Sequence, residues 1–220
     1  MNAVVDEASF VRTHTVLTST ALLPELTLHL AREPFGIFLA AEKIAADRPY
    51  WAFAWSGGQA LARWILDNPA EVAGKRIYDI GSGSALTSIA AVRAGAAAVT
   101  AADIDPMACA AAVLNAAANG VDVQVTSDDL LGHDLDVDLV LIGDLFYEPE
   151  LVTRVSAFLE RMARRGIPVL FGDRVTSRRP PLDFASVAEY AAELTPHLEI
   201  GYVDQARVWR LRTARHARRA

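Results

Sequence analysis

A chain of 220 residues, 52% hydrophobic and 22% charged, can bury a sizeable core within one α/β domain and is unlike a disordered chain. Its net charge of −6 excludes broad electrostatic attraction to nucleic acid or an anionic membrane. The one cysteine, Cys109, excludes an internal disulfide framework and a cysteine-rich metal site.

No apolar run reaches the roughly 18 residues of a spanning helix. The first residues, Met1 to Glu7, lack a basic segment followed by an apolar core, so a cytoplasmic protein without a membrane partner is expected. Residues 1–48 read as an N-terminal extension, 49–212 as the main domain, and 213–220 as a frayed basic tail. Within the extension the patterning is mixed and partly helical, punctuated by Pro24 and Glu33-Pro34-Phe35-Gly36, with a short helix over 40–47. His14 and His29 have no second ligand at a metal-binding spacing, and no metal is expected.

From Pro49 to Trp64 aromatic residues crowd ahead of Gly57-Gly58 and an amphipathic helix over 59–67. Trp51 and Phe53 suit packing as well as function. Trp55, Gly57, Gly58 and Gln59 read as functional, because the glycines admit close backbone approach and Gln59 can cap or contact a polar ligand.

The stretch Arg76 to Ala90 organises the chain. Ile77 to Ile80 is an apolar run of the kind that forms a buried parallel strand. The turn Gly81-Ser82-Gly83-Ser84 then leads into a helix over 85–94 that stops at Gly95. Such a junction brings bare backbone and a helix N-terminus to a ligand. Asp79, two positions before the first glycine, repels a pyrophosphate and suits a cationic amino or sulfonium group. The dinucleotide fingerprint also needs a third glycine where Leu86 stands, so it is not met.

A second strand over 98–102 ends in Asp103-Ile104-Asp105-Pro106. Asp103 lies 20 residues beyond Gly83, where a strand–helix–strand unit sets an acid beside the first turn, able to accept hydrogen bonds from ribose hydroxyls. Asp105, followed by Pro106, reads as a helix N-cap. A helix over 107–119 stops at Gly120, and a third strand over 121–126 leads to Asp128-Asp129-Leu130-Leu131. That strand end is expected to face a purine, with Asp129 before Asp128 as acceptor of its exocyclic amine; a solvated turn is the alternative.

A fourth strand over 138–142 opens into Gly143-Asp144-Leu145-Phe146-Tyr147-Glu148, placing a carboxylate and a tyrosine at a sheet's carboxyl edge. A helix over 151–164 and a fifth strand over 167–171 lead to Gly172-Asp173 and a basic loop from Arg174 to Pro181. Residues 184–193 read as a helix, and 198–202 with 207–211 as a closing antiparallel hairpin.

Residues 49–63, Asp79 to Ser84, Ala102 to Pro106 and Gly143 to Tyr147 together resemble the seven-β-strand protein lysine methyltransferases. Within these the chain is similar to bacterial relatives of the electron transfer flavoprotein β-subunit lysine methyltransferase, and more distantly to ribosomal-protein methyltransferases. The resemblance implies an α/β fold of the Rossmann-like class I methyltransferase type. Its seven-stranded sheet would be mostly parallel, with a C-terminal antiparallel hairpin and an N-terminal helical extension. It implies S-adenosyl-L-methionine as cofactor and S-adenosyl-L-homocysteine as product. The family's cofactor motifs fall on Asp79, Gly81, Ser82, Gly83, Asp103 and Ile104, with Trp55, Asp129, Leu130 and Asp144 completing the set. Asp144 and Tyr147 take the catalytic positions of the Asp-x-x-Tyr motif. Ala85 departs from a usual glycine, and Gly172-Asp173-Arg174 from a usual Gly-Asp-Pro.

The chemistry implied is an in-line displacement in which Asp144 accepts a hydrogen bond from the amine while Tyr147 and Phe146 exclude water. The expected partner is a protein with an accessible lysine. A small-molecule amine gripped by the rebuilt loop is the alternative, and a non-catalytic binding module a third reading. The oligomeric state is not indicated.

Overall fold

Asp6 starts the first element, α1 (Glu7–His14), by accepting a hydrogen bond from the Ser9 amide at 3.2 Å. A computed structural model describes residues 6–174, 180–192 and 205–213. After α1 the chain forms β1 (Thr15–Thr20) and β2 (Leu23–Ala31), an antiparallel pair. The extension thus carries a strand pair beside its helical part. β-branched Thr and Val populate β1, while Leu23, Leu26 and Leu28 of β2 are buried. Next comes α2 (Pro34–Lys43), with proline at its first position. It ends where Ala45 turns left-handed (φ 53°), so the helix lies earlier than 40–47.

Following α3 (Ser56–Asp67), the chain runs through β3 (Arg76–Ile80), α4 (Leu86–Arg93), β4 (Ala98–Ala102), α5 (Pro106–Ala118) and β5 (Gln124–Thr126). It continues as β6 (Leu139–Gly143), α6 (Pro149–Arg165), β7 (Val169–Arg174), β8 (Phe184–Ala191) and β9 (Gln205–Leu211). The sheet has seven strands in the order β5-β4-β3-β6-β7-β9-β8. The first five are parallel, and β9 runs antiparallel to both β7 and β8. Chain order reverses between β3 and β6, the switch point beside which open α/β sheets bind ligands.

Both faces of β6 are buried. Leu139 and Leu141 join one apolar cluster with α3 and α4, while Val140 and Ile142 join another with Val155, Phe158 and Leu159 of α6. That double burial is why the strand reads as an uninterrupted apolar run. The extension is stitched onto α5 by two side chains. The β2 amides of Thr27 and His29 donate to Asn119 Oδ1 at 3.0 Å and Asn115 Oδ1 at 2.7 Å.

The strand count of seven matches the expectation, yet one strand lies elsewhere. Of residues 184–193, read as a helix, Phe184–Ala191 form β8 instead, paired with β9 from Phe184↔Leu211 to Ala191↔Gln205. Pairing along an edge overrides the helical preference of Ala-Ser-Val-Ala-Glu-Tyr-Ala. The expected strand at 198–202, the loop at 175–179 and the tail from 214 lie outside the described residues. No described helix is long and apolar enough to cross a membrane.

Candidate active site

β3 delivers the chain into a turn whose alternate residues are left-handed: Gly81 (φ 66°), Gly83 (φ 51°) and Ala85 (φ 59°). Ala85 thus keeps the backbone that a glycine would adopt freely, at a cost of about 1–2 kcal/mol. Gly81 also leaves room for Leu145, which a side chain there would push aside. A Cβ there would stand 2.6 Å from Leu145 Cδ2.

Asp79 is buried, 1% exposed, and does not line the cleft. Its Oδ2 accepts hydrogen bonds from Thr87 Oγ1 (2.5 Å) and Ser88 Oγ (2.7 Å), which ties the strand to the start of α4. Burial pushes its pKa up to about 6, against the hydroxyl and amide donors of Ser88 and Thr87 that lower it. The expectation of a carboxylate presented directly to a ligand is corrected: Asp79 braces the turn from beneath. Because the folded pKa is raised, its protonation stabilises the fold fully below about 3.8, and that contribution is lost as pH rises through about 6. Urea midpoints measured across pH 4–7 should therefore fall more steeply in wild type than in Asp79→Asn, whose difference curve should level above pH 6.

Asp103, at the end of β4, lines the cleft and spans the two turns. Its Oδ2 accepts from the Gly83 amide at 2.9 Å and its Oδ1 from the Asp105 amide at 3.1 Å. Burial raises its pKa above the ordinary carboxylate value, and these two amides oppose the shift. Asp105 caps α5, accepting from the Met107 amide at 2.8 Å, as its place before Pro106 indicates. Its pKa is pushed up to about 6 by burial, with Asp103 and Asp47 adding to the rise. Beside them Ile104 is 65% exposed, a large apolar side chain held open at the cleft.

The third wall comes from β6. Asp144 follows Gly143 in a left-handed conformation (φ 48°), and its amide donates to Gly172 O at 3.0 Å. Its Oδ2 accepts from the Gly58 amide at 2.7 Å, so the carboxylate sits at the N-terminus of α3, where the helix dipole favours negative charge. A Cβ on Gly57 would lie 2.5 Å from Asp144 Oδ1 and 2.6 Å from Gly172 O. The Gly57-Gly58 pair thus serves helix-to-sheet approach. Gln59, read as a possible ligand contact, is buried and donates from Nε2 to Ala54 O at 2.7 Å; it too serves the fold.

Aromatic side chains close the remaining side. Trp55 lines the cleft and donates from Nε1 to Tyr50 O at 2.9 Å. Tyr147 is 54% exposed at the rim, and partial desolvation of the phenol, then the charge of Glu148, pushes its pKa up to about 12. Phe146 is buried yet borders the same space, its ring 5.5 Å from Phe171. Tyr50 also lines the cleft, and sequence reasoning passed over it, although its place in the aromatic run was the available signal.

Asp129 and Leu130 line the cleft at the β5 end. Asp129 Oδ1 accepts from the Leu131 amide at 3.2 Å, and Oδ2 is ion-paired with Arg154 of α6. The arginine was not foreseen, because nothing in the 128–131 stretch announces a partner 25 residues away. Asp128 Oδ2 accepts instead from Thr126 Oγ1 at 2.8 Å.

The cleft so formed measures about 960 Å3, ample for a nucleoside-sized group together with an acceptor side chain. Its floor is short of partners: Ser82 Oγ, which lines it, is buried and meets no hydrogen-bonding group among the described residues. Buried polar atoms of this kind call for a polar ligand. The acids around them suit one bearing positive charge. S-adenosylmethionine, with its ammonium and sulfonium groups, fits that donor and acceptor set. Among the described residues no three His, Cys, Asp or Glu side chains gather as a metal site.

Comparison with known proteins agrees with this geometry. The family model described as ribosomal protein L11 methyltransferase (PrmA) matches residues 63–146. Among solved structures, magnesium protoporphyrin IX methyltransferase from Synechocystis PCC 6803 with bound S-adenosylmethionine is similar at TM-score 0.54 and 16% identity, covering 97% of this chain and all of that one. The Thermus thermophilus 16S rRNA N2 G1207 methyltransferase is similar at TM-score 0.56 and 14% identity, over 86% of this chain and 47% of that one. These two share the fold. The electron transfer flavoprotein beta subunit lysine methyltransferase of Xenopus laevis is 38% identical over 169 residues, covering 75% of this chain and 69% of that protein. The mouse protein of the same description is 39% identical over 162 residues, and the chain spans 64% of its length; for the human protein the share is 60%. On that similarity the chain belongs to the electron transfer flavoprotein beta subunit lysine methyltransferase family and is an S-adenosylmethionine-dependent methyltransferase.

Proposed function

We propose that the chain methylates a lysine side-chain amine on a protein, electron transfer flavoprotein β, in the cytoplasm. The observation that carries this reading is the end of the cleft where Asp144, Phe146 and Tyr147 meet Tyr50 and Trp55, an anionic group inside an aromatic wall. Asp103 would hold the ribose, Ile104 and Leu130 the adenine faces, Asp129 the exocyclic amine, and Ser82 with the glycine turn the amino-acid end. The cofactor supplies an electrophilic methyl on a positively charged sulfur.

A lysine enters with an ordinary pKa near 10.4 and attacks only as the neutral amine. Withdrawal from water inside the cleft disfavours the ammonium form, and the proton leaves to solvent at the open rim. Asp144 then accepts a hydrogen bond from the amine, aiming its lone pair along the line of displacement. A carboxylate offers about four acceptor positions, so the bond from Gly58 is compatible with this task. With the cofactor bound, an amine so oriented would take the methyl group while the sulfur kept the electron pair of the carbon–sulfur bond. Tyr147 keeps its proton throughout, since its pKa of about 12 unsuits it as a base; it shapes the channel and excludes water.

Incubation with radiolabelled S-adenosylmethionine and purified electron transfer flavoprotein β, followed by mass mapping, tests the reading. Label on a lysine is expected. Label confined to the small-molecule fraction of a whole lysate, with the flavoprotein unlabelled, would replace it by the small-molecule alternative.

A further inference from the structure

Tyr50 occupies a position that neither the motif Asp144 to Tyr147 nor the glycine turn explains. Its ring lies edge-on to three others: Tyr147 at 5.5 Å and 63°, Trp55 at 5.9 Å and 70°, and Phe38 at 6.4 Å and 75°. Its hydroxyl accepts from Arg48 Nη1 at 3.1 Å, and its carbonyl accepts the Trp55 indole proton. One side chain therefore joins the segment before α3 to the loop after β6, across the mouth of the cleft.

From this geometry we infer that Tyr50 is a positioning residue for methyl transfer, which fixes the Tyr147 ring and thereby the channel through which an alkyl ammonium side chain enters. The inference rests on the reading of that end as the acceptor side. Tyr147 is more than half exposed, and it lies three residues after Asp144, which is at positive φ. Its place is set by what it touches, and the ring it touches is Tyr50. The two rings meet at a steep angle, forming a corner whose π faces attract a cationic side chain. Phe38, outside the cleft, and Arg48, on its lining, hold Tyr50 from two sides, which is what a ring that must stay fixed while substrates pass would need.

The test is a double-mutant cycle with the full chain, S-adenosylmethionine and purified electron transfer flavoprotein β. Tyr50→Leu and Tyr147→Leu should each raise the KM for the protein about tenfold, and the double variant should be scarcely worse than either. S-adenosylhomocysteine affinity by calorimetry should change less than about twofold, and Tyr50→Phe should restore KM because the ring, not the hydroxyl, makes the contact with Tyr147. If Tyr50→Leu does not fold, Tyr50→Met, with bulk but no ring, carries the same comparison. Multiplying effects on KM, or cofactor affinity falling in step with KM, would overturn the inference while protein methylation stands. A wild type that labels no protein would overturn both readings.

Discussion

Asp144→Asn should lower turnover about a hundredfold while leaving the fold and cofactor affinity nearly unchanged, a magnitude typical of losing one well-placed proton acceptor. Asparagine tolerates the left-handed backbone that Asp144 adopts at φ 48°. Its side-chain oxygen can still accept from the Gly58 amide, so α3 keeps its contact with the sheet. What disappears is the negative charge facing the attacking amine. Steady-state rates at saturating cofactor, with S-adenosylhomocysteine titration alongside, measure the two effects separately. Undiminished turnover would leave Asp144 with the capping role alone.

Gly172→Ala should be the most destabilising single change at the site. The added Cβ would lie 1.9 Å from Gly57 O, 2.7 Å from Gly57 C and 2.9 Å from Leu61 Cβ. Two of these neighbours are backbone at the start of a helix, and they cannot rotate away. A loss of about 3 kcal/mol is expected. For a chain of this size that corresponds to a fall of roughly 10 °C in Tm by calorimetry. Turnover should fall with it, because α3 carries the amide that holds Asp144. An unshifted Tm would mean that α3 does not sit against β7 as described.

Gly143 and Gly172 stand side by side in register, each followed by an aspartate. That repetition of Gly-Asp at two strand ends was visible in the sequence, but its meaning was not. The glycines make room for a helix whose own glycines, 57 and 58, lie more than 80 positions earlier than the first of them. By contrast, the central junction could be read locally. An apolar run, two glycines and a helix admit few backbones, and the positive φ angles at 81, 83 and 85 are what the pattern demanded. The distance from Gly83 to Asp103 was equally informative, since one strand–helix–strand unit must return the chain to the same edge; the hydrogen bond between them closes that unit.

Side-chain direction was less legible. Asp79 belongs to the strand end, yet it pairs in register with Ala101 and Leu141, and its carboxylate meets Thr87 and Ser88 on α4. A composition rich in Ala, Thr and Ser hid β8 and the β1–β2 hairpin, whose stability comes from partners distant in sequence. Asp129 shows the same limit, because Arg154 reaches it from α6.

The central claim is that the carboxyl edge of the sheet holds S-adenosylmethionine by way of Asp103. Calorimetric titration of S-adenosylhomocysteine into wild type and Asp103→Ala tests it most directly. Removing this carboxylate takes away the acceptor for the ribose and loosens the Gly83 amide it holds at 2.9 Å, so affinity should fall at least about thirtyfold, or roughly 2 kcal/mol. Equal affinity in the two proteins would contradict the account.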